Sequence, residues 1–172
     1  MNEQTKLLIK KYNKIYVIEL FVIAAIVLVL ATLKLVGVIG TNPTFRHVFN
    51  IITLVVGTYF IVDFIWLICS KKRQKRNSWF DKISVMPFAI SMIVVDIICL
   101  VNWNEDITWY STFIAIAFYY IALIYIAQGL YHLKKPAPSI VFAAMAEVKE
   151  KEAEAQKQAE QAKEENKDNS PS

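Results

Sequence analysis

The sequence predicts an all-α integral membrane protein: a four-helix bundle with both termini cytoplasmic and a charged C-terminal tail, part helical and part disordered. Three observations predict it. Residues 15–39, 48–69, 83–101 and 107–131 are apolar almost all the way round, basic residues fall in alternate connections, and nothing large and apolar follows Lys149.

Hydrophobic residues make up 56% of the chain, against roughly 45–50% in an ordinary soluble protein. A soluble helix shows an apolar stripe, whereas one apolar on every face is either deeply buried or lipid-facing. Four such helices in 172 residues leave too little other mass to shield them. Each segment also suits the ~20 residues that cross a hydrocarbon core. The length allows one domain plus a tail: a basic N-terminus (1–14), the bundle (15–135) and an Ala/Glu/Lys-rich tail (136–172). Lys6, Lys10, Lys11 and Lys14 precede the first span as in a signal peptide, but its apolar run is too long and Ala31-Thr32-Leu33-Lys34 is a poor cleavage site. It is expected to remain as an anchor.

The net charge of +4 conceals an asymmetry. The N-terminal lysines, the loop Lys71, Lys72, Arg73, Lys75, Arg76 and the pair Lys134-Lys135 all fall on one side of the spans. The connection from Gly40 to His47 carries Arg46 alone, and that from Asn102 to Trp109 carries Glu105 and Asp106. By the positive-inside rule the basic side is cytoplasmic. The 71–76 run therefore sets orientation and attracts anionic headgroups rather than nucleic acid. Trp79, Trp103, Trp109, Tyr110 and Tyr131 near span ends fit the interfacial aromatic belt.

In the tail, Pro136-Ala137-Pro138 breaks the fourth helix. Ser139 is expected to cap a new one, whose apolar start (140–148) suits the membrane surface or the underside of the bundle. Beyond Lys149 the residues are strong helix formers, yet only alanines are on hand for coiled-coil positions. A solvated helix fraying near Asn169-Ser170-Pro171 is expected.

An ionisable side chain at mid-bilayer costs about 2.5–3.5 kcal/mol on insertion scales. Glu19, Lys34, Asp63 and Asp96 lie within spans, and Asp81 opens the third. Glu19 and Asp81 suit the inner interface; Lys34 either snorkels outward or pairs with Asp96. Asp63 and Asp96 should face the bundle interior. The fourth span has no charge between Asp106 and His132, and His132 reads as interfacial beside Lys134. His47 is expected alone in an outer loop. Cys69 and Cys99 fall at opposite ends of their spans and imply neither a disulfide nor a metal site. No Ser-His-Asp set, metal-ligand spacing or phosphate-cradling loop is visible among a chain with 4 glycines, so neither an enzyme nor a cofactor is expected.

Phe60-Ile61-Val62-Asp63, a basic linker, then Asp81 with Pro87-Phe88 six residues later resembles the voltage-sensor bundle of the ion-transport superfamily. The resemblance covers roughly residues 48–90 and implies that Phe60, Asp63 and Asp81 form a charge-transfer-like inner cluster. The departures are plain: Leu67 stands where that family carries a basic residue, and residues 107–131 hold none of its repeated arginines. Each charge moved through the membrane field supplies about 2.3 kcal/mol per 100 mV, so this bundle has little to sense with. The expected role is an accessory or structural subunit without voltage sensing of its own. An oligomeric ion or proton channel, and an interaction module acting through the tail, are the alternatives. Expected partners are anionic headgroups at the cytoplasmic face, further copies or a larger membrane complex, and a cytoplasmic protein on the tail, with no nucleic acid. The short basic loops point to a bacterial plasma membrane.

Overall fold

A computed structural model describes residues 2–37, 43–102 and 109–168, with the backbone alone for 43–45 and 159–168. Among them the chain is helical throughout: α1 (Glu3–Leu35), α2 (Pro43–Cys69), α3 (Lys71–Arg76), α4 (Trp79–Val101), α5 (Tyr110–Lys134) and α6 (Pro138–Asp168). Four of these, α1, α2, α4 and α5, are long and apolar enough to cross a membrane. The all-α fold with four such helices is therefore as the sequence predicts.

Helix ends differ from the apolar limits for local reasons. α1 begins at Glu3 because Glu, Gln, Lys and Leu there all favour helix. It stops at Leu35, short of residue 39, because Gly37 turns the chain at φ +79°. Pro43 opens α2 at a position where a missing amide costs nothing. His47, expected in a loop, consequently lies inside α2 and is buried. The basic connection is itself a short helix: Ser70 accepts from the Arg73 amide at 3.4 Å, and Ser78 caps α4 through the Asp81 amide at 3.4 Å. α6 starts on Pro138 with the Ala137 carbonyl accepting from Ile140 and Val141, so Ser139 is inside the helix rather than its cap. The expected fraying site at 169–171 and the connection 103–108 lie outside the described residues.

The spans pack as two antiparallel pairs. α1 runs along α5, with Phe21 against Gly129 and Thr32 bonded to Tyr119 at 2.9 Å. α2 runs along α4, with Gly57 against Ala89 and Ile93. α4 and α5 join the pairs through the buried core: Val85, Phe88, Met92 and Val95 from one, Ile114, Ala117 and Ile121 from the other. Outside, Ile51, Val55, Tyr59, Val62 and Ile65 leave a face of α2 exposed, as a lipid-facing helix requires.

The start of α6 docks beneath α1, the second of the placements the sequence allowed. Asn13 is the rivet: its amide donates to the His132 carbonyl at 2.7 Å and its oxygen accepts from the Ala137 amide at 3.4 Å. Ala144 and Val148 are buried, as are Thr5 and Ile9 of α1. Tyr12 donates to Glu147, and Lys151 reaches Glu147 at 2.7 Å. The Lys151 and Tyr12 hydrogen bonds hold the Glu147 carboxyl below its ordinary range. Beyond Val148, residues 149–158 are exposed.

Gly57 permits the close approach of α2 and α4. A β-carbon there would sit 3.2 Å from the Ala89 carbonyl oxygen and 3.0 Å from Ile93 Cγ1, and the backbone oxygen cannot turn aside. Small residues at such crossings are how membrane helices gain contact. Gly57→Val is expected to cost about 1–3 kcal/mol by overpacking, read as a lower Tm in detergent micelles. Val56→Leu on the exposed side should leave Tm unchanged.

Candidate functional site

Charged and polar side chains gather at the two ends of the bundle. At the end carrying α3 and α6, Asp63 near the close of α2 meets Lys82 of α4 at 2.5 Å and Arg73 of α3 at 3.0 Å. The Ser70 and Ser78 caps fix the two short turns that bring those cations to it. Arg73 also lies 3.5 Å over the Trp66 ring, a cation–π contact that anchors the guanidinium.

Asp81 faces the other way, to α5. Both its carboxylate oxygens lie 2.9 Å from His132 Nε2, while His132 Nδ1 lies 3.0 Å from the Lys135 carbonyl. His132 thus bridges the Asp81 carboxyl of α4 and the Lys135 carbonyl that follows α5. Tyr16 packs edge-on to the imidazole at 5.5 Å, and His132 is fully buried. Gln128, one turn before it, donates to the Asp81 carbonyl at 3.0 Å and to Ser84 Oγ at 2.9 Å. Tyr120 donates to the Ser84 carbonyl at 2.9 Å. Pro87 removes an amide from this stretch of α4, and donors from α5 bond the Asp81 and Ser84 carbonyls of the same stretch.

Phe60, Asp81, Lys82 and Gln128 line a cavity of about 170 Å³ open at this end. Phe60, half-buried against the core, and Asp81 share this cavity, whereas Asp63 lies outside its lining and faces a neighbouring pocket with Arg73 and Arg76. Leu67, one turn after Asp63, is buried, and Lys82 and Arg73 serve Asp63. Of the basic connection, Lys71, Lys72 and Lys75 are exposed, Arg73 turns inward, and Arg76 lies 5.6 Å over the Phe142 ring. Glu19 is exposed on α1.

At the opposite end Asp96 is fully buried and neither carboxylate oxygen has a hydrogen bond among the described residues. The neighbouring Thr53 hydroxyl donates instead to the Phe49 and Asn50 carbonyls of its own helix, at 2.9 and 3.1 Å. Tyr110 donates to Asn50 Oδ1. Lys34 does not snorkel: it is buried, with Nζ 5.3 Å over the Tyr110 ring and 5.9 Å over Phe49. It forms no ion pair with Asp96, because the aromatic faces hold the ammonium. Between the two ends lies a dry layer of Phe88, Ala89, Met92, Ala117 and Ile121. Asp81 and Asp96 are about 22 Å apart along α4 at 1.5 Å per residue.

His132 is what the sequence reading misplaced. It is a buried partner of Asp81, not an interfacial residue. The signal was present: Gln128 and His132 are one turn apart on an otherwise uncharged span and share a face. Among the described residues no group of three or more His, Cys, Asp or Glu could hold a metal ion. Cys99 is buried and Cys69 exposed, at opposite ends of the bundle.

The sequence matches no protein-family model and no curated protein, and the fold matches no solved structure.

Asp63→Asn is expected to lower stability by about 1–2 kcal/mol, the value of partly exposed pairs. Lys82→Met should cost less, since Arg73 remains. The double variant should fall short of the sum by about 1 kcal/mol, measured by thermal unfolding in micelles.

Proposed function

We propose that this chain is a small, non-enzymatic, multi-pass membrane protein acting as a structural or accessory subunit, with a voltage-sensor-like bundle that does not sense voltage itself. The observation that carries the reading is the dry layer. Phe88, Ala89, Met92, Ala117 and Ile121 separate the polar ends, and Met92 and Ala89 have no exposed surface. An ion or proton crossing this layer would leave all polar partners behind, at a cost of several kcal/mol. The acids' partners are also fixed to the scaffold: Lys82 on α4, Arg73 on α3 and His132 on α5. None belongs to a repeated row that slides through the field. This favours a static bundle over the oligomeric channel or transporter.

The basic connections support an orientation with both termini cytoplasmic, and a bacterial plasma membrane as its location. A second role is favoured by one feature. α6 leaves the bundle after Val148 as an exposed helix of Ala, Glu, Lys and Gln over 149–158, which suits recruitment of a cytoplasmic protein.

Purified protein in liposomes, with an imposed potential of about 100 mV, tests the reading. Neither proton nor potassium flux above protein-free vesicles is expected, in the wild type or in Asp63→Asn and Asp96→Asn. Wild-type flux removed by either substitution would establish a conduction path and overturn the accessory role.

A further inference from the structure

A groove of about 670 Å³ runs between the N-terminal half of α1 and the end of α5. Its floor is apolar, with Ile9 and Val17 buried and Ile18, Phe21 and Leu133 towards the open side. Its rim is basic: Lys6, Lys10 and Lys14 stand one turn apart along one stripe of α1, and Lys134 faces them from α5. Successive lysines on that stripe rise about 6 Å, so the cations span a headgroup-sized strip that leads into the apolar floor.

These lysines differ from the acid-paired cations at this end, and from the exposed Lys71, Lys72 and Lys75 of α3 in that they line an apolar groove. Arg73, Lys82 and Lys151 each reach an acid. Lys6, Lys10, Lys14 and Lys134 reach none among the described residues, and the groove's lining contains no acid. Like charges crowded around a low-dielectric floor raise a focused positive potential that a bound anion would relieve. An anion alone leaves the floor empty, and an acyl chain alone leaves the charges unmet. A molecule with both parts satisfies the whole groove.

We infer that this groove holds one anionic glycerophospholipid, its phosphate among Lys6, Lys10, Lys14 and Lys134 and an acyl chain along Ile18, Phe21 and Leu133. The site is distinct from the exposed lysines of α3, which attract headgroups diffusely. The lipid would clamp α1 to α5 next to the Asn13 bridge and the Asp81–His132 pair. It rests on the membrane placement proposed above but not on the absence of conduction, which the flux measurement tests separately.

The test is native mass spectrometry of the full chain released from nanodiscs of mixed phosphatidylcholine and phosphatidylglycerol. The wild type should retain one phosphatidylglycerol with about tenfold preference over phosphatidylcholine. The variant K6Q/K10Q/K14Q/K134Q should lose that preference. The equal-charge control K71Q/K72Q/K75Q/K149Q should keep it. Ile18→Trp, which fills the floor without changing charge, should also lose the retained lipid. Circular dichroism on each variant confirms that the helices persist. No retained lipid in the folded wild type would overturn the inference. So would equal loss in the control, which would mark diffuse attraction, or displacement by inorganic phosphate, which would mark a free-anion site. A dimer bridged by the acidic tail of a second copy in place of lipid would overturn it as well.

Discussion

A carboxylate within a hydrocarbon-spanning bundle is costly unless the protein itself supplies a partner, because lipid cannot. Asp63 and Asp81 impose that constraint on one end of this molecule, and much of its local structure follows. Arg73 and Lys82 reach Asp63 only because Ser70 ends α2 cleanly and starts α3, and Ser78 starts α4. His132 reaches Asp81 only because α5 continues to Lys134, past the expected end of the span. The Lys135 carbonyl that follows fixes the imidazole from its other side. The same turn presents Ala137 to Asn13, and so places α6 beneath α1. Charge satisfaction, chain direction and tail docking are thus one connected arrangement.

The other end solves the problem differently. Lys34 is covered by the Tyr110 and Phe49 faces rather than paired, and Asp96 is buried without a hydrogen bond among the described residues. An unsatisfied buried polar group costs stability. The two ends of the bundle thus differ: the end carrying α3 and α6 pairs its acids, and the opposite end leaves Asp96 without a hydrogen bond among the described residues.

Long-range order was more legible than side-chain pairing. Apolar runs revealed the four spans because lipid-facing helices need no stripe, so their signal is unbroken. Order and spacing suggested a cluster of Phe60, Asp63 and Asp81; in the structure Phe60 and Asp81 line one cavity and Asp63 another. What the spacing could not convey was which cation serves which acid. Lys82 and Arg73 are 19 and 10 residues from Asp63, and His132 is 51 from Asp81. Such pairings depend on the rotation of packed helices, which period alone does not fix. Lys34 was misread for a related reason: snorkelling is the default for an isolated helix, and the aromatic faces that cover the ammonium come from α2 and α5. The helix at 71–76 was hidden because a basic run scores as a loop until Ser70 is recognised as its cap.

The most direct measurement is of charge displacement in the expressed full chain under voltage steps. Cations fixed to α3, α4 and α5 predict a linear capacitive response with no saturating component. A saturating displacement of about one elementary charge or more per molecule, abolished by Lys82→Met or Arg73→Gln, would contradict it and show that the network around Asp63 moves in the field.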